Sequence, residues 1–351
     1  MKIIGCDFHP GYQQIAMLDQ DTGELVEKAL SHVGTKKEEV QKFYAELAGP
    51  VRVGIEASGQ SQWFERLLSE LGHEVWIGDA AKIRASCARK QKTDRRDAEL
   101  LMKLLAENRF PRIWVPTPTE RDARQLLLHR HKLVRLRTQV KNQLQALALN
   151  QGMQRKWLLW NVTGRKQLEA LPLLPWASRR RAELLALLDQ LEVSIGELDR
   201  AVSQQAQAQP AVRRLMTHPG VGPITALAFV LTVGPAKRFA RGKQVASYFG
   251  LIPAEHSSGG RRQRLGHISK QGNPFLRGLL VEAAQSAVRH EPILRRQYQR
   301  LAQRKCRALA KVAIARKLAV RLYWMLRAEA DYTQLFQGSH AGQPESFCGR
   351  R

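Results

Sequence analysis

Four carboxylates, Asp7, Glu56, Asp94 and Asp97, fall where the sequence pattern ends strands and opens a helix. Asp7 follows the apolar run Ile3-Ile4-Gly5-Cys6, and Glu56 closes Val51-Arg52-Val53-Gly54-Ile55. Asp94 and Asp97 lie three apart at the start of a helical pattern, a spacing that puts both on one helix face. If the two strands are neighbours and the helix packs across them, the four acids meet at one point. Unpaired, they would repel. Divalent cations remove that cost, and hard oxygen ligands select Mg²⁺, with Mn²⁺ able to substitute. Two such ions about 4 Å apart stabilise the attacking and leaving oxygens of a phosphodiester displacement. Taken singly, Asp94 can be an N-cap and Asp97 a first-turn acid favoured by the helix dipole. Strand-end acids have no capping role, so the set is read as metal ligands.

The chain around these acids is built for a polyanion. It carries 57 Lys+Arg against 31 Asp+Glu, a formal charge of +26, which makes nucleic acid the first partner class and an anionic membrane surface the second. From Arg261 to Arg321 the only acids are Glu282 and Glu291. A solvated helix face normally interleaves both signs, so Arg261, Arg262, Arg264, Lys270 and Arg277 are read as nucleic-acid contacts with steep salt dependence. In the turn Pro219-Gly220-Val221-Gly222-Pro223, Gly220 and Gly222 would let backbone N–H groups approach phosphates at a helix start; a plain interhelix turn is the alternative. Ser257-Ser258-Gly259-Gly260 opens the basic loop. A serine there can reach a phosphate and, if its hydroxyl is activated, attack one; chemistry alone favours a merely solvated or phosphate-contacting serine.

At 351 residues the chain is two or three domains on a prior of roughly 100–200 residues each. Residues 1–112 read as α/β with a mixed sheet: strands over 2–7, 12–18, 24–33, 51–56 and 73–77, with helices over 38–47, 62–71, 81–89 and 95–107. Residues 113–208 are helical. Leu184, Leu188, Leu191, Ile195, Leu198 and Val202 alternate steps of four and three, either an antiparallel or intermolecular coiled-coil seam joining protomers or the apolar face of a bundle helix. Residues 209–330 read as mostly α-helical, with helices over 275–290 and 292–327 and a basic loop over 257–270. Residues 331–351 are a polar tail.

Several classes are disfavoured. The longest mostly apolar run, Ile224 to Val233, is far short of the roughly 20 residues of a membrane span. Met1 to Gly5 runs straight into a strand pattern without the apolar region of a secretory signal. Cys6, Cys87, Cys306 and Cys348 have no C-x-x-C spacing, which fits neither a disulfide framework nor a zinc site and points to a reducing cytoplasm.

Both ends together resemble the transposases of the insertion sequence 110 family. The matching stretches are Ile4-Gly5-Cys6-Asp7, Gly54-Ile55-Glu56-Ala57-Ser58-Gly59 and Lys92-Thr93-Asp94-Arg95-Arg96-Asp97-Ala98. Toward the C-terminus they are Pro219-Gly220-Val221-Gly222-Pro223, Tyr248-Phe249-Gly250-Leu251-Ile252-Pro253, Ser258-Gly259 and Gly266 to Asn273. The resemblance implies an RNase H/RuvC-like domain with four Mg²⁺-binding acids, Asp7, Glu56, Asp94 and Asp97, followed by a coiled-coil region and a serine domain. It implies Ser258 as the nucleophile that forms a covalent phosphoserine with DNA; Ser257 is the neighbouring alternative, and Ser258 fits the family pattern by preceding the glycine. It also implies a noncoding guide RNA pairing with element-end and target DNA. A homo-oligomer, dimer or tetramer, in a prokaryotic cell's nucleoid completes the expectation. The rivals are a RuvC-type endonuclease that uses water, and a nucleic-acid-binding structural protein with a degenerate catalytic fold.

Overall fold

The computed structural model describes residues 1–34, 36–87, 93–154, 158–255 and 265–336. It divides into two compact units, Met1–Val115 and Pro116–Arg351.

The first unit is a five-stranded mixed sheet with helices on both faces. In chain order it runs β1 (Lys2–Phe8), β2 (Tyr12–Asp19), β3 (Leu25–Ser31), α1 (Lys36–Ala45), β4 (Val51–Glu56), α2 (Gln62–Glu70), β5 (Glu74–Gly78), α3 (Ala80–Ala85) and α4 (Asp94–Ala106). The spatial order is β3-β2-β1-β4-β5. The first three strands form an antiparallel meander, and β1 pairs parallel to β4, as β4 does to β5. Gly23, at φ +75°, closes the β2–β3 turn in a conformation that suits glycine.

Alternation along the strands assigns the faces. Ile4, Cys6, Ile15, Val53, Ile55 and Ile77 share one core with α1 and α2, whereas Ile3 and Ala16 pack with Leu101, Met102 and Leu105 of α4. A strand covered on both faces is apolar nearly throughout; β1 is, apart from its ends. On the α4 face Gly5 decides the spacing. A Cβ there would lie 2.2 Å from the Ala98 carbonyl oxygen and 2.3 Å from the Met102 nitrogen, so helix backbone rests directly on strand backbone. Neighbouring Gly54 leaves room for Leu105 and Phe110 in the same layer.

The second unit is almost entirely helical. It comprises α5 (Pro118–Asn150), α6 (Val162–Glu169), α7 (Pro175–Ala208), α8 (Pro210–Met216), α9 (Pro223–Val233) and α10 (Gly242–Tyr248), then the hairpin β6 (Pro253–Glu255) and β7 (Leu265–Ile268). The last helices are α11 (Pro274–His290), α12 (Pro292–Arg304), α13 (Arg307–Ala328) and α14 (Tyr332–Phe336). Thr117 and Glu120 form a capping box that starts α5. The α7 seam residues Leu188, Leu191 and Ile195 are buried against Val140, Leu144 and Ala148 of α5 and Leu168 of α6, all in the same chain. Antiparallel ion pairs accompany the contact: Arg130–Asp199 at 2.5 Å and Lys141–Glu192 at 2.9 Å. The apolar helix α9 lies at the centre of the C-terminal core with Phe229 fully buried.

Several expectations differ from the fold. The polar tail expected over 331–351 opens with α14, whose Tyr332 is buried in the C-terminal core, and the helix expected over 81–89 ends at Ala85. The helix expected over 292–327 is two helices. Lys305 departs to φ −128°, ψ −96°, and Cys306, extended, restarts the chain with its sulfur accepting from the Leu309 N–H. The loop expected over 257–270 contains β7, paired antiparallel with β6. Helix α7 begins at Pro175, with proline in its first turn, rather than where the leucine periodicity begins.

Candidate metal centre and nucleic-acid interface

Asp7 sits one residue beyond Cys6, which pairs with Ile55 of β4, so strand register sets Glu56 beside it. By alternation both acids follow their glycines, Gly5 and Gly54, on the α4 side of the sheet. The first turn of α4 supplies the other two. Thr93 caps that helix by accepting from the Arg96 N–H, and Asp94 and Asp97 follow in its first turn. The backbone contact at Gly5 thus fixes the helix start to the end of β1.

The tightest part of the arrangement includes a residue that sequence reasoning missed. Asp7, Asp94 and His9 each offer a ligand atom within 4.8 Å of the others. His9 Nε2 lies 3.2 Å from Asp7 Oδ2 and 3.7 Å from Asp94 Oδ1. The Tyr12 hydroxyl donates to Asp94 Oδ2 at 2.5 Å, and its ring stacks on the His9 imidazole at 4.8 Å. Glu56 and Asp97 stand outside that group. His9 and Tyr12 flank the β1–β2 turn, and the available signal was strand alternation, which returns residue 9 to the side of residue 7.

Burial pushes the Asp7 carboxyl above the usual carboxylate range; nearby His9 opposes this, while the charges of Asp97 and Asp94 push it further up. Hydrogen bonding to Asp94 raises the Tyr12 phenol. A mostly buried carboxylate facing two like charges is what a divalent cation relieves. The donors are hard oxygens with one imidazole, a set that fits such an ion.

In the second unit the two turn glycines do different things. Gly220, at φ +85°, packs on α11: a Cβ would lie 2.4 Å from the Ala287 nitrogen. Gly222 precedes α9 as its N-cap and has nothing within 4 Å of a Cβ position. Arg277 donates to the carbonyls of Phe249 and Gln271, both at 3.0 Å. Lys270 is exposed, with its backbone N–H on the Gly250 carbonyl at 3.2 Å. Gly250, at φ +66°, and Gly272 press the 248–251 turn against 270–272, clamping the root of the β6–β7 hairpin. Ser257, Ser258, Arg261, Arg262 and Arg264 lie outside the described residues. Farther along, Arg296, Arg300, Arg304, Lys305 and Arg307 form an exposed basic stretch, whereas Arg321 turns inward to Glu291 at 3.3 Å.

A DEDD transposase family model matches residues 4–153, and the model of the IS116/IS110/IS902 transposase family matches residues 212–299. A probable family 20 transposase of Pseudomonas aeruginosa is 31% identical over 308 residues, covering 85% of this chain and 90% of the relative. The chain belongs to the IS116/IS110/IS902 transposase family. A putative transposase of Sinorhizobium fredii is 29% identical over 94% of this chain and 88% of its own length. The transposase for insertion sequence element IS1111A of Coxiella burnetii is 27% identical over 83% of this chain and 79% of its own length.

The protein is therefore an insertion-sequence transposase, an enzyme that cuts and recombines DNA. The DEDD family match and the Asp7–His9–Asp94 group together point to a divalent metal. DNA is its partner, and no helix among the described residues is long and apolar enough to cross a membrane.

Proposed function

We propose that this transposase exchanges DNA strands through a covalent serine–DNA intermediate at a Mg²⁺-dependent acid centre in an RNase H/RuvC-like domain. The observation that carries the reading is the approach of Asp7 and Asp94, 87 positions apart in chain number (94 − 7), in a chain whose C-terminal half matches the same transposase family. Asp7, Glu56, Asp94 and Asp97 hold the metal, two Mg²⁺ ions or Mn²⁺ in their place. Bound metal supplies charge stabilisation at the phosphate oxygens.

The chain's own residues do the rest. The Ser258 hydroxyl attacks the scissile phosphorus as the bond to the leaving strand's sugar oxygen breaks, and that oxygen takes up a proton. In rejoining, a new strand's hydroxyl attacks the phosphoserine and the serine is regenerated. Arg261, Arg262, Arg264, Lys270 and the Gly222 turn grip phosphates, while Gly220 and Arg277 hold the turn and hairpin that present them. The division into 1–112, 113–208, 209–330 and 331–351 assigns cutting to the first part, assembly into a dimer or tetramer to a coiled-coil α5–α7 arm, and covalent capture to the third. A noncoding guide RNA pairs with element-end and target DNA, at the nucleoid of a prokaryotic cell.

A denaturing gel tests this with Mg²⁺, element-end DNA and RNA transcribed from the element's flanking noncoding region. A protein–DNA adduct is expected from the wild type and from Ser257→Ala, and none from Ser258→Ala. Cleavage without an adduct would make water the nucleophile and the protein a RuvC-type endonuclease.

A further inference from the structure

We propose that His9 is a nitrogen ligand of the transposase metal centre and that Tyr12 is the residue that positions both His9 and Asp94. The inference rests on the metal-centre reading and deepens it. The four acids are all oxygen donors; an imidazole among them changes which ion the site prefers and what holds that ion.

The geometry is that of ligands around a shared position. Donors about 2.1 Å from a common octahedral ion stand about 3 Å apart when adjacent. His9 Nε2 is 3.2 Å from Asp7 Oδ2 and 3.7 Å from Asp94 Oδ1, close to that spacing. The three donors come from three separate places: the end of β1, the turn after it and the first turn of α4. An ion pair alone would satisfy the histidine with one carboxylate; here one nitrogen is shared between two.

Tyr12 makes the position a built one. Its ring lies against the imidazole with 23° between planes, and its hydroxyl reaches the other oxygen of Asp94. Asp94 Oδ2 is thereby occupied by the phenol, while Oδ1 is directed toward His9. A partner that fixes a ligand's orientation in this way typically matters 10–100-fold for metal affinity. Because imidazole suits Fe, Ni, Cu and Zn ions better than it suits Mg²⁺, His9 tilts the centre toward later transition-metal ions over Mg²⁺.

The test uses the full chain without DNA and Mn²⁺ as the probe. Bound Mn²⁺ is counted by electron paramagnetic resonance, and nitrogen ligation is read from ¹⁴N modulation in the pulsed spectrum. Wild type is expected to bind Mn²⁺ saturably with ¹⁴N modulation. His9→Ala should lose the modulation and bind Mn²⁺ about tenfold more weakly, with a smaller change in Mg²⁺ competition. His9→Asn, which preserves the turn's polarity, should behave alike and serves if the alanine variant misfolds. Tyr12→Phe keeps the stacked ring, so the modulation should persist while affinity falls about tenfold. Saturable Mn²⁺ binding without ¹⁴N modulation, or modulation that survives in both His9 variants, overturns the His9 assignment and leaves the acid centre standing. No saturable Mn²⁺ binding in the wild type overturns both.

Discussion

The two units secure their functional segments by different means. In the first, reactive side chains project from a sheet and a helix whose backbones touch at Gly5, so acids distant in sequence are fixed by packing beneath them. In the second, backbone groups are the fixed parts: Gly220 presses a turn onto α11, and Arg277 holds the carbonyls at the root of the β6–β7 hairpin. A centre that must hold charge at short range is positioned through its side chains. The surface proposed to follow a phosphate chain is positioned through its turns.

The sharpest way to break this contrast is to remove one acid. Asp7→Ala should lower strand cleavage about a thousandfold or more, since metal catalysis contributes several kcal/mol and each 1.36 kcal/mol is a factor of ten. Salt-sensitive DNA binding should survive; comparing cleavage gels with binding at two salt concentrations checks both halves. If binding disappears as well, the acids are part of the grip and the contrast fails.

Next comes the support beneath them. Gly5→Ala forces a methyl against the Ala98 and Met102 backbone and should cost about 3 kcal/mol or more in denaturant unfolding, at the upper end for overpacking. The same variant should weaken Mn²⁺ binding although it touches no ligand.

In the second unit, His218 is 1% exposed, and burial pushes its imidazole down to about 4. Its folded value lies below the ordinary 6.5, so the unfolded chain takes up the proton first as pH falls. The neutral histidine's full contribution is therefore present above about pH 6.5. It is lost toward pH 4, by about 3 kcal/mol at 1.36 kcal/mol per unit. Urea midpoints at pH 7 and pH 4.5 should separate more widely in the wild type than in His218→Gln. Equal separation would mean that the ring is not the group being charged.

The smallest effect is the most discriminating. Gly220→Ala should destabilise by about 2–3 kcal/mol through its clash with α11 and its positive φ. Gly222→Ala, with open space at its Cβ position, should stay within about 0.5 kcal/mol of wild type. A loss of DNA affinity in Gly222→Ala alone would assign the phosphate approach to that residue.

Much of this was legible in the sequence. The apolar runs Lys2–Asp7 and Val51–Glu56 read as strands ending at acids, and register then set those strands side by side. The α7 periodicity correctly marked a buried seam, but periodicity cannot name its partner, which is α5 of the same chain. The break at Lys305 and Cys306 was hidden because neither residue is a glycine or proline and both flanks are good helix formers. His9 and Tyr12 were hidden for another reason: their roles arise from a contact with Asp94, some 80 residues away, as Tyr12 shows at a separation of 82. Strand alternation puts His9 on the side of Asp7, but no local pattern shows the contact with Asp94.

Gly5, Gly54 and Gly78 lie on three neighbouring strands, and in each the space of a methyl group is taken by helix backbone or by Leu105, Ile83 or Phe110. The height at which α4 rides over the sheet is therefore set by hydrogens well below the carboxylates. A homologous chain could keep all four acids and His9, lose those hydrogens to side chains, and carry each proposed ligand at the wrong elevation. The acids identify the tool; the floor under the helix calibrates it.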